Sequence, residues 1–386
     1  MIVDAVRTPI GKFRGALASV RADHLGAHVI NALVRRVGIA PADVDDVVFG
    51  CVTQIGEQSA NIARTALLGA GWPSSIPGMT VDRKCGSAEA AVHIGVGSIA
   101  SGAADVVVAG GAESMTRVPM GSNRAIHGEA FGWMVEDRYD IVGQGEAAER
   151  LADLYQLTRD ACDDYAFESH RRAATAADAG AFDREIVPVP VATLREREAE
   201  GVADDFERDE TIRRETSRDK LATLKTSFRE NGRVTAGNAS QISDGASAVL
   251  LMSKQAAARL GAKPRARIVG TVAVGSDPEL TLTGPMDATR KLLARLGIGA
   301  DEIDLFEVNE AFACVPLSWM QEIGVGSDRL NVNGGAIALG HPLGATGTRL
   351  MATMLGELER REGRYALQAV CCNGGLGTAT LIERLA

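Results

Sequence analysis

Aromatic side chains are scarce in this 386-residue chain, at 4% of positions, and no block of lysine or arginine stands out. Formal charge is −9 and the isoelectric point lies near 5.3. A nucleic-acid surface carries a basic stripe, so no nucleic-acid partner is expected. No apolar run reaches bilayer length, so no membrane partner is expected either. The cysteines are Cys51, Cys85, Cys162, Cys314, Cys371 and Cys372. They form no C-x-x-C pair and are too sparse for a disulfide scaffold. His24 and His28 stand four apart with no Glu between them and no third ligand in view, so no metal is expected. The chain opens on a strand-like segment, Met1-Ile-Val-Asp-Ala-Val-Arg-Thr-Pro, with no signal or transit pattern. Glu383-Arg-Leu-Ala carries no peroxisomal or retention tag. A cytoplasmic location is the expectation.

What is present is small and apolar. Hydrophobic residues make up 46% of the chain and glycine occurs 43 times, a profile suited to closely packed helices and sheets. The length leaves room for two domains or two fused halves. Leu25 to Val37 has helical spacing and stops at Gly38; Asp45 to Val52 reads as a strand; Asn61 to Leu68 is helical again. A short strand then runs into Cys85, and after Gly86 nearly every residue is small or apolar, which predicts a buried helix. Ala104 to Met115 is a strand ending in a glycine-rich turn.

The order of elements then recurs. Asp301–Val308 echoes Asp43–Gly50, Leu330–Leu350 echoes Met79–Gly97, and Tyr365–Gly377 echoes Ala104–Ala112. This predicts two similar α/β halves facing each other, with strand-end loops from both meeting in one place. Between them the composition turns to mixed charge, with a helical run from Glu146 to Ala177 and a less regular one from Leu194 to Leu224. Such charge reads as a solvated insertion that carries loops rather than core. The expected division is an N-terminal half of residues 1–118 and 241–253, an insertion of 119–240, and a C-terminal half of 254–386.

Three junctions carry candidate chemistry. The glycine-rich stretch Asn331–Gly347 holds a single imidazole, His341, followed by Pro342 and then by a helical segment from Thr348. Proline suits a first helical turn, so His341 is expected where that loop becomes a helix. Cys85 stands at a strand-to-helix turn, where free N–H groups and the helix dipole favour thiolate over thiol. Cys371 ends a strand just before Gly374-Gly-Leu-Gly. A single cysteine is by default a small buried hydrophobe. Two thiols and an imidazole at strand-end turns of two equivalent halves are no longer that bland pattern.

Four separated motifs resemble the thiolase family. They are Cys85 in Val-Asp-Arg-Lys-Cys-Gly-Ser-Ala, Asn309 in Glu-Val-Asn-Glu-Ala-Phe-Ala, His341 in Leu-Gly-His-Pro-Leu-Gly-Ala-Thr-Gly, and Cys371 in Cys-Cys-Asn-Gly-Gly-Leu-Gly. Gly110-Gly-Ala-Glu-Ser-Met and Val234-Thr-Ala-Gly-Asn-Ala-Ser fit as well, so the likeness covers essentially the whole chain. It implies a duplicated five-layered α-β-α-β-α fold, a homodimer or homotetramer, and acyl transfer between coenzyme A thioesters. Coenzyme A is then a substrate, acyl-CoA the other, and no cofactor is expected. By resemblance Cys85 is the nucleophile, His341 its base and Cys371 the second acid and base. His341 and a water on Asn309 stabilise one oxyanion; the backbone N–H groups of Cys85 and Asn373 stabilise the other. Phe228 and Ser240 match positions along the pantetheine arm, and Arg213 matches one near the adenine end.

Two departures stand out. Asn373 occupies a position where the family usually has Gly, and Asn tolerates left-handed torsions. The His-Met-Gly element of many short-chain thiolases is replaced by Val142-Gly-Gln-Gly-Glu-Ala-Ala-Glu, which favours longer or bulkier acyl groups. The resemblance therefore implies thiolytic cleavage of a 3-oxoacyl-CoA, as in fatty acid β-oxidation and lipid metabolism. The alternatives are acetoacetyl-CoA synthesis from two acetyl-CoA and, in another class, a non-catalytic lipid-binding or scaffold subunit.

Overall fold

The computed structural model describes residues 1–124, 126–196 and 204–385. The strands are β1 (Ile2–Arg7), β2 (Gly11–Lys12), β3 (Asp46–Gly50), β4 (Gly78–Val81), β5 (Val106–Ser114), β6 (Ser243–Met252), β7 (Ala266–Gly275), β8 (Leu305–Val308), β9 (Tyr365–Cys372) and β10 (Leu376–Arg384). Their spatial order is β4-β3-β5-β6-β1-β7-β10-β9-β8, with β2 paired to β6. The sheet is two half-sheets joined through the pair Ile2 and Ala266.

The internal duplication is visible in strand direction. β4, β3 and β5 run parallel, and β6 and β1 follow antiparallel. In the second half β8 and β9 run parallel, and β10 and β7 follow antiparallel. Where β4 would have its counterpart, Leu330 bridges Phe306 in parallel and the Asn331 side chain pairs with both Val308 N and O at 2.8 Å. Parallel neighbours need a crossover, and a helix supplies it in each half. Helix Ser87–Ser101 links β4 to β5, and helix Thr346–Arg360 leads into β9. These two helices pack on one another between the half-sheets. Helices Ala22–Val37 and Ile62–Gly69 cover one outer face; Gly284–Leu296 covers the other, with Cys314–Ile323 packed beside it. The expected five layers are present.

Local sequence explains the layers. In helix Ala22–Val37, Leu25, Val29, Ile30 and Leu33 share one buried stripe, and Gly38 at φ 81° ends the helix. Each such side chain contributes about 1.5–3 kcal/mol of burial before chain entropy is counted. Helix Ser87–Ser101 is central and needs small residues: a β-carbon on Gly95 would press on Leu251 at 2.8 Å and Val107 at 3.1 Å. No helix among the described residues is long and apolar enough to cross a membrane.

The charged insertion is more than loops. Helix Gln144–Leu154 buries Ala148, Leu151 and Ala152, and helix Arg159–Asp178 buries Cys162 and Ala166, all within the core of the C-terminal half. Val189, Val191 and Phe206 join the N-terminal core. Mixed charge hid this because the apolar positions, at helical spacing, are mostly alanine. Residues 197–203 of the expected run from Leu194 to Leu224 lie outside the described residues; its later part holds the short helix Arg218–Ala222.

Candidate active site

The site is assembled at the carboxyl ends of strands. Beyond β4 the chain kinks at Lys84 (φ 49°) and turns into helix Ser87–Ser101. The Ser87 hydroxyl closes this turn, accepting from Arg83 N at 2.8 Å and donating to Lys84 O at 2.6 Å. Cys85 is held inside it, 4% exposed. The Gln144 side chain and the backbone N–H groups of Cys85 and Asn373 all reach its sulfur. Burial nevertheless dominates and pushes the thiol up to about 11. The helix start therefore does not make a resting thiolate, contrary to the sequence expectation: the desolvation of a closed pocket outweighs the dipole. A base is required.

His341 follows Gly340, whose φ of 84° suits glycine alone, and lies between helix Ala336–Leu339 and helix Thr346–Arg360. Pro342 does not enter the first helical turn; it sits in the connecting turn, where its carbonyl accepts from Ala345 N at 2.9 Å. The His341 N–H donates to Ser243 Oγ at 2.7 Å, which ties the loop to β6. Nδ1 lies 2.6 Å from Thr346 Oγ1, and the Thr346 hydroxyl donates to Pro342 O at 2.9 Å. With its one proton engaged, Thr346 accepts from Nδ1–H, which leaves Nε2 as the free base. Burial, aided by the Arg349 guanidinium, lowers the imidazole to about 3, so it is neutral at rest.

Asn309 directly follows β8, and its N–H donates to Ala369 O of β9 at 3.0 Å. Its side-chain amide lies 3.4 Å from His341 Nε2 and also reaches the Cys371 sulfur. Asn309 Oδ1 is buried with no partner among the described residues. Burial raises the Cys371 thiol, and the charge on Cys85 raises it further. A thiolate on one of these two sulfurs therefore disfavours a thiolate on the other. Cys372 is also near: a β-carbon on Gly86 would lie 2.6 Å from its sulfur. Asn373 needs no left-handed torsion, since Gly374 (φ 90°) and Gly375 (φ 70°) make the turn.

A cleft of about 660 Å³ opens on Cys85, its lining including Gln144, Leu343, Asn373, Met120, Ile126 and Phe131. Gln144, which the family likeness did not single out, begins helix Gln144–Leu154; its neighbour Gly145 lies flat against the Phe228 ring. Phe228 is exposed and meets Phe312 edge-on at 6.1 Å. Ser240 N–H donates to Ala311 O at 2.9 Å. Neither Phe228 nor Ser240 is among the residues that line the cleft on Cys85. Arg213 stands apart on the surface, its guanidinium 3.4 Å from Gln241 Oε1. Gln241 O in turn accepts from His341 N at 3.2 Å. His24 and His28 each bond a backbone carbonyl, of Leu194 and Pro188, at 2.8 Å. Among the described residues no three His, Cys, Asp or Glu side chains gather as metal ligands would.

The chain is similar throughout to known proteins. Residues 1–255 match the family described as thiolase, N-terminal domain, and 262–384 match thiolase, C-terminal domain. Steroid 3-ketoacyl-CoA thiolase FadA6 of Mycobacterium tuberculosis is 46% identical over 100% of this chain and 94% of its own length. The 3-oxoadipyl-CoA/3-oxo-5,6-dehydrosuberyl-CoA thiolase of Escherichia coli is 41% identical over 100% and 99%. The crystal structure of the Bacillus anthracis acetyl-CoA acetyltransferase superposes with a TM-score of 0.90 at 39% identity, covering 100% of this chain and 98% of that one. With two domain matches, whole-length relatives and a shared fold, this chain belongs to the thiolase family and is an acyltransferase.

Proposed function

We propose that the protein cleaves 3-oxoacyl-CoA with coenzyme A, giving acetyl-CoA and a shortened acyl-CoA through an acyl-Cys85 intermediate. The observation that carries this reading is that the Asn309 amide joins His341 to Cys371, that the charge of Cys85 is felt at Cys371, and that a cleft opens on Cys85. His341 Nε2 takes the Cys85 proton, and Sγ bonds the 3-oxo carbon. The oxyanion so formed is met by N–H groups. The C2–C3 bond then breaks, its electron pair stays on C2 as an enolate, and the Cys371 thiol protonates it to acetyl-CoA. The Cys371 thiolate next takes the proton of the incoming CoA thiol. That sulfur attacks the thioester, Cys85 leaves as thiolate and recovers its proton from His341.

The acyl group is longer or bulkier than acetoacetyl. A 660 Å³ cleft with Met120, Ile126 and Phe131 in its lining supports this, as do relatives named for steroid and 3-oxoadipyl substrates. Phe228 and Ser240 flank the pantetheine arm and Arg213 the adenine end. The setting is fatty acid or related acyl-CoA degradation in the cytoplasm, by a homodimer or homotetramer. Acetoacetyl-CoA synthesis is the competing reading, favoured by relatives named acetyl-CoA acetyltransferase. A coupled assay of acetyl-CoA release compares acetoacetyl-CoA with a longer 3-oxoacyl-CoA. Higher kcat/KM on the longer substrate supports cleavage of bulky acyl groups, preference for four carbons supports the synthetic reading, and no turnover of either points to a scaffold.

A further inference from the structure

The loops that carry Cys85 and His341 come from opposite halves of the duplicated fold, yet they cross almost backbone to backbone. A β-carbon on Gly50 would overlap Gly344 O and stand 2.6 Å from Ala88 N, in the first turn after Cys85. A β-carbon on Gly111 would overlap Gly344 O as well. At this crossing lies one fully buried carboxylate, Glu113, at the end of β5.

Its two oxygens are filled by donors from both halves. Oε2 accepts from Val52 N at 2.9 Å and from Gly344 N at 2.9 Å. Oε1 accepts from Thr53 N at 2.9 Å and Gln58 Nε2 at 3.1 Å. Val52 packs in one apolar cluster with Cys85 and Leu343, and Gly344 follows His341 by three residues. A carboxylate withdrawn from water persists only when its lone pairs are satisfied, and here three of the five donors, the Cys51 thiol at 3.9 Å from Oε1 being the fifth, are main-chain N–H groups. They orient loops rather than side chains. Nothing in a sheet-end loop requires such a group for packing alone, since an apolar residue of the same volume would avoid the desolvation.

We propose that Glu113 is a positioning residue, which holds the His341 loop at working distance from Cys85 by bonding Gly344 on one side and Val52 and Thr53 on the other. This rests on the reading of Cys85 as nucleophile and His341 as base. It acts on that pair without touching substrate.

The test uses the full-length enzyme with Glu113→Gln, which keeps the shape and removes one acceptor and the charge. A displacement near 1 Å at a reacting pair lowers rate by about a hundredfold. The expected result is a fall in kcat of roughly ten- to a hundredfold, KM for CoA and acyl-CoA within about twofold, and iodoacetamide alkylation of Cys85 slowed in proportion to kcat. A variant that melts lower but keeps wild-type kcat and alkylation rate overturns the proposal, because the carboxylate is then structural only. Should Glu113→Gln not fold, Glu113→Asp keeps the charge, draws it back by one methylene and is judged by the same criteria. Gln58→Leu serves as control: it removes the Gln58 bonds to Glu113 Oε1, Thr53 O and Ser114 N but leaves the three backbone bonds to Glu113, so stability falls while kcat stays within about threefold of wild type. A tenfold loss there would also overturn the proposal. Peptide mapping of the alkylated wild type keeps the two readings apart. A label on Cys85 with loss of turnover upholds the nucleophile; a label elsewhere removes that assignment whatever Glu113→Gln does.

Discussion

Gly347, in the first turn of helix Thr346–Arg360, lies so close to Glu89 of helix Ser87–Ser101 that a β-carbon on it would overlap the Glu89 backbone nitrogen. The two duplicated crossover helices therefore touch at their first turns, near His341 and Cys85. Gly347→Ala has no flexible neighbour to displace, and a stability lowered by about 1–3 kcal/mol is expected from overpacking against main chain. Gly97, on the exposed side of helix Ser87–Ser101, has nothing within 4 Å of its absent β-carbon. Gly97→Ala should stabilise by about 0.4–1 kcal/mol. Urea unfolding of both variants gives opposite signs if the contact is as described.

Thr346→Val preserves shape but takes away the acceptor for His341 Nδ1–H at 2.6 Å. The imidazole then loses the partner that sets its tautomer. A drop in kcat of about tenfold or more, with KM for CoA unchanged, is expected in steady-state kinetics. Equal kcat would mean that the tautomer is held by something else.

Asn373→Gly should leave kcat within about threefold of wild type, because the group that reaches Cys85 is the backbone N–H and the left-handed torsions belong to Gly374 and Gly375. If the Asn373 side chain took part, the loss would be far larger.

His170 is buried in helix Arg159–Asp178, where its Nδ1 accepts from Arg213 N at 3.1 Å. Burial first, then the charge of Arg213, lowers it to about 4 from 6.5. A base whose folded pKa is depressed binds fewer protons folded than unfolded, so stability falls as pH drops below 6.5 and levels near the folded value. His170→Gln keeps an acceptor and does not titrate. The gap between the two proteins, measured by urea unfolding, should shift by roughly 2–3 kcal/mol between pH 7 and pH 4 in favour of the variant. A constant gap would show that His170 is not held neutral.

Much of this was legible in the linear order. The recurrence of Asp43–Gly50 in Asp301–Val308 foretold the duplicated strands, because side-chain alternation is a local code. Cys85, His341 and Cys371 were found from the glycine-rich junctions and motifs around them. The helical run from Glu146 to Ala177 was legible, but its share in the core was not, because the alanines that join it, Ala148, Ala152 and Ala166, are silent among charges. Pro342 suggested a helix start, but the helix begins at Thr346, where Gly347 can approach Glu89.

The sequence by itself determined at which strand ends Cys85, His341 and Cys371 stand, since strand, turn and glycine signals act over a few residues. Only the tertiary structure decided their protonation. Cys85 is a thiol and His341 a neutral base because segments distant in sequence close over them and exclude water. It alone also brought Glu113 to Gly344, across 231 positions of chain, where the two halves meet.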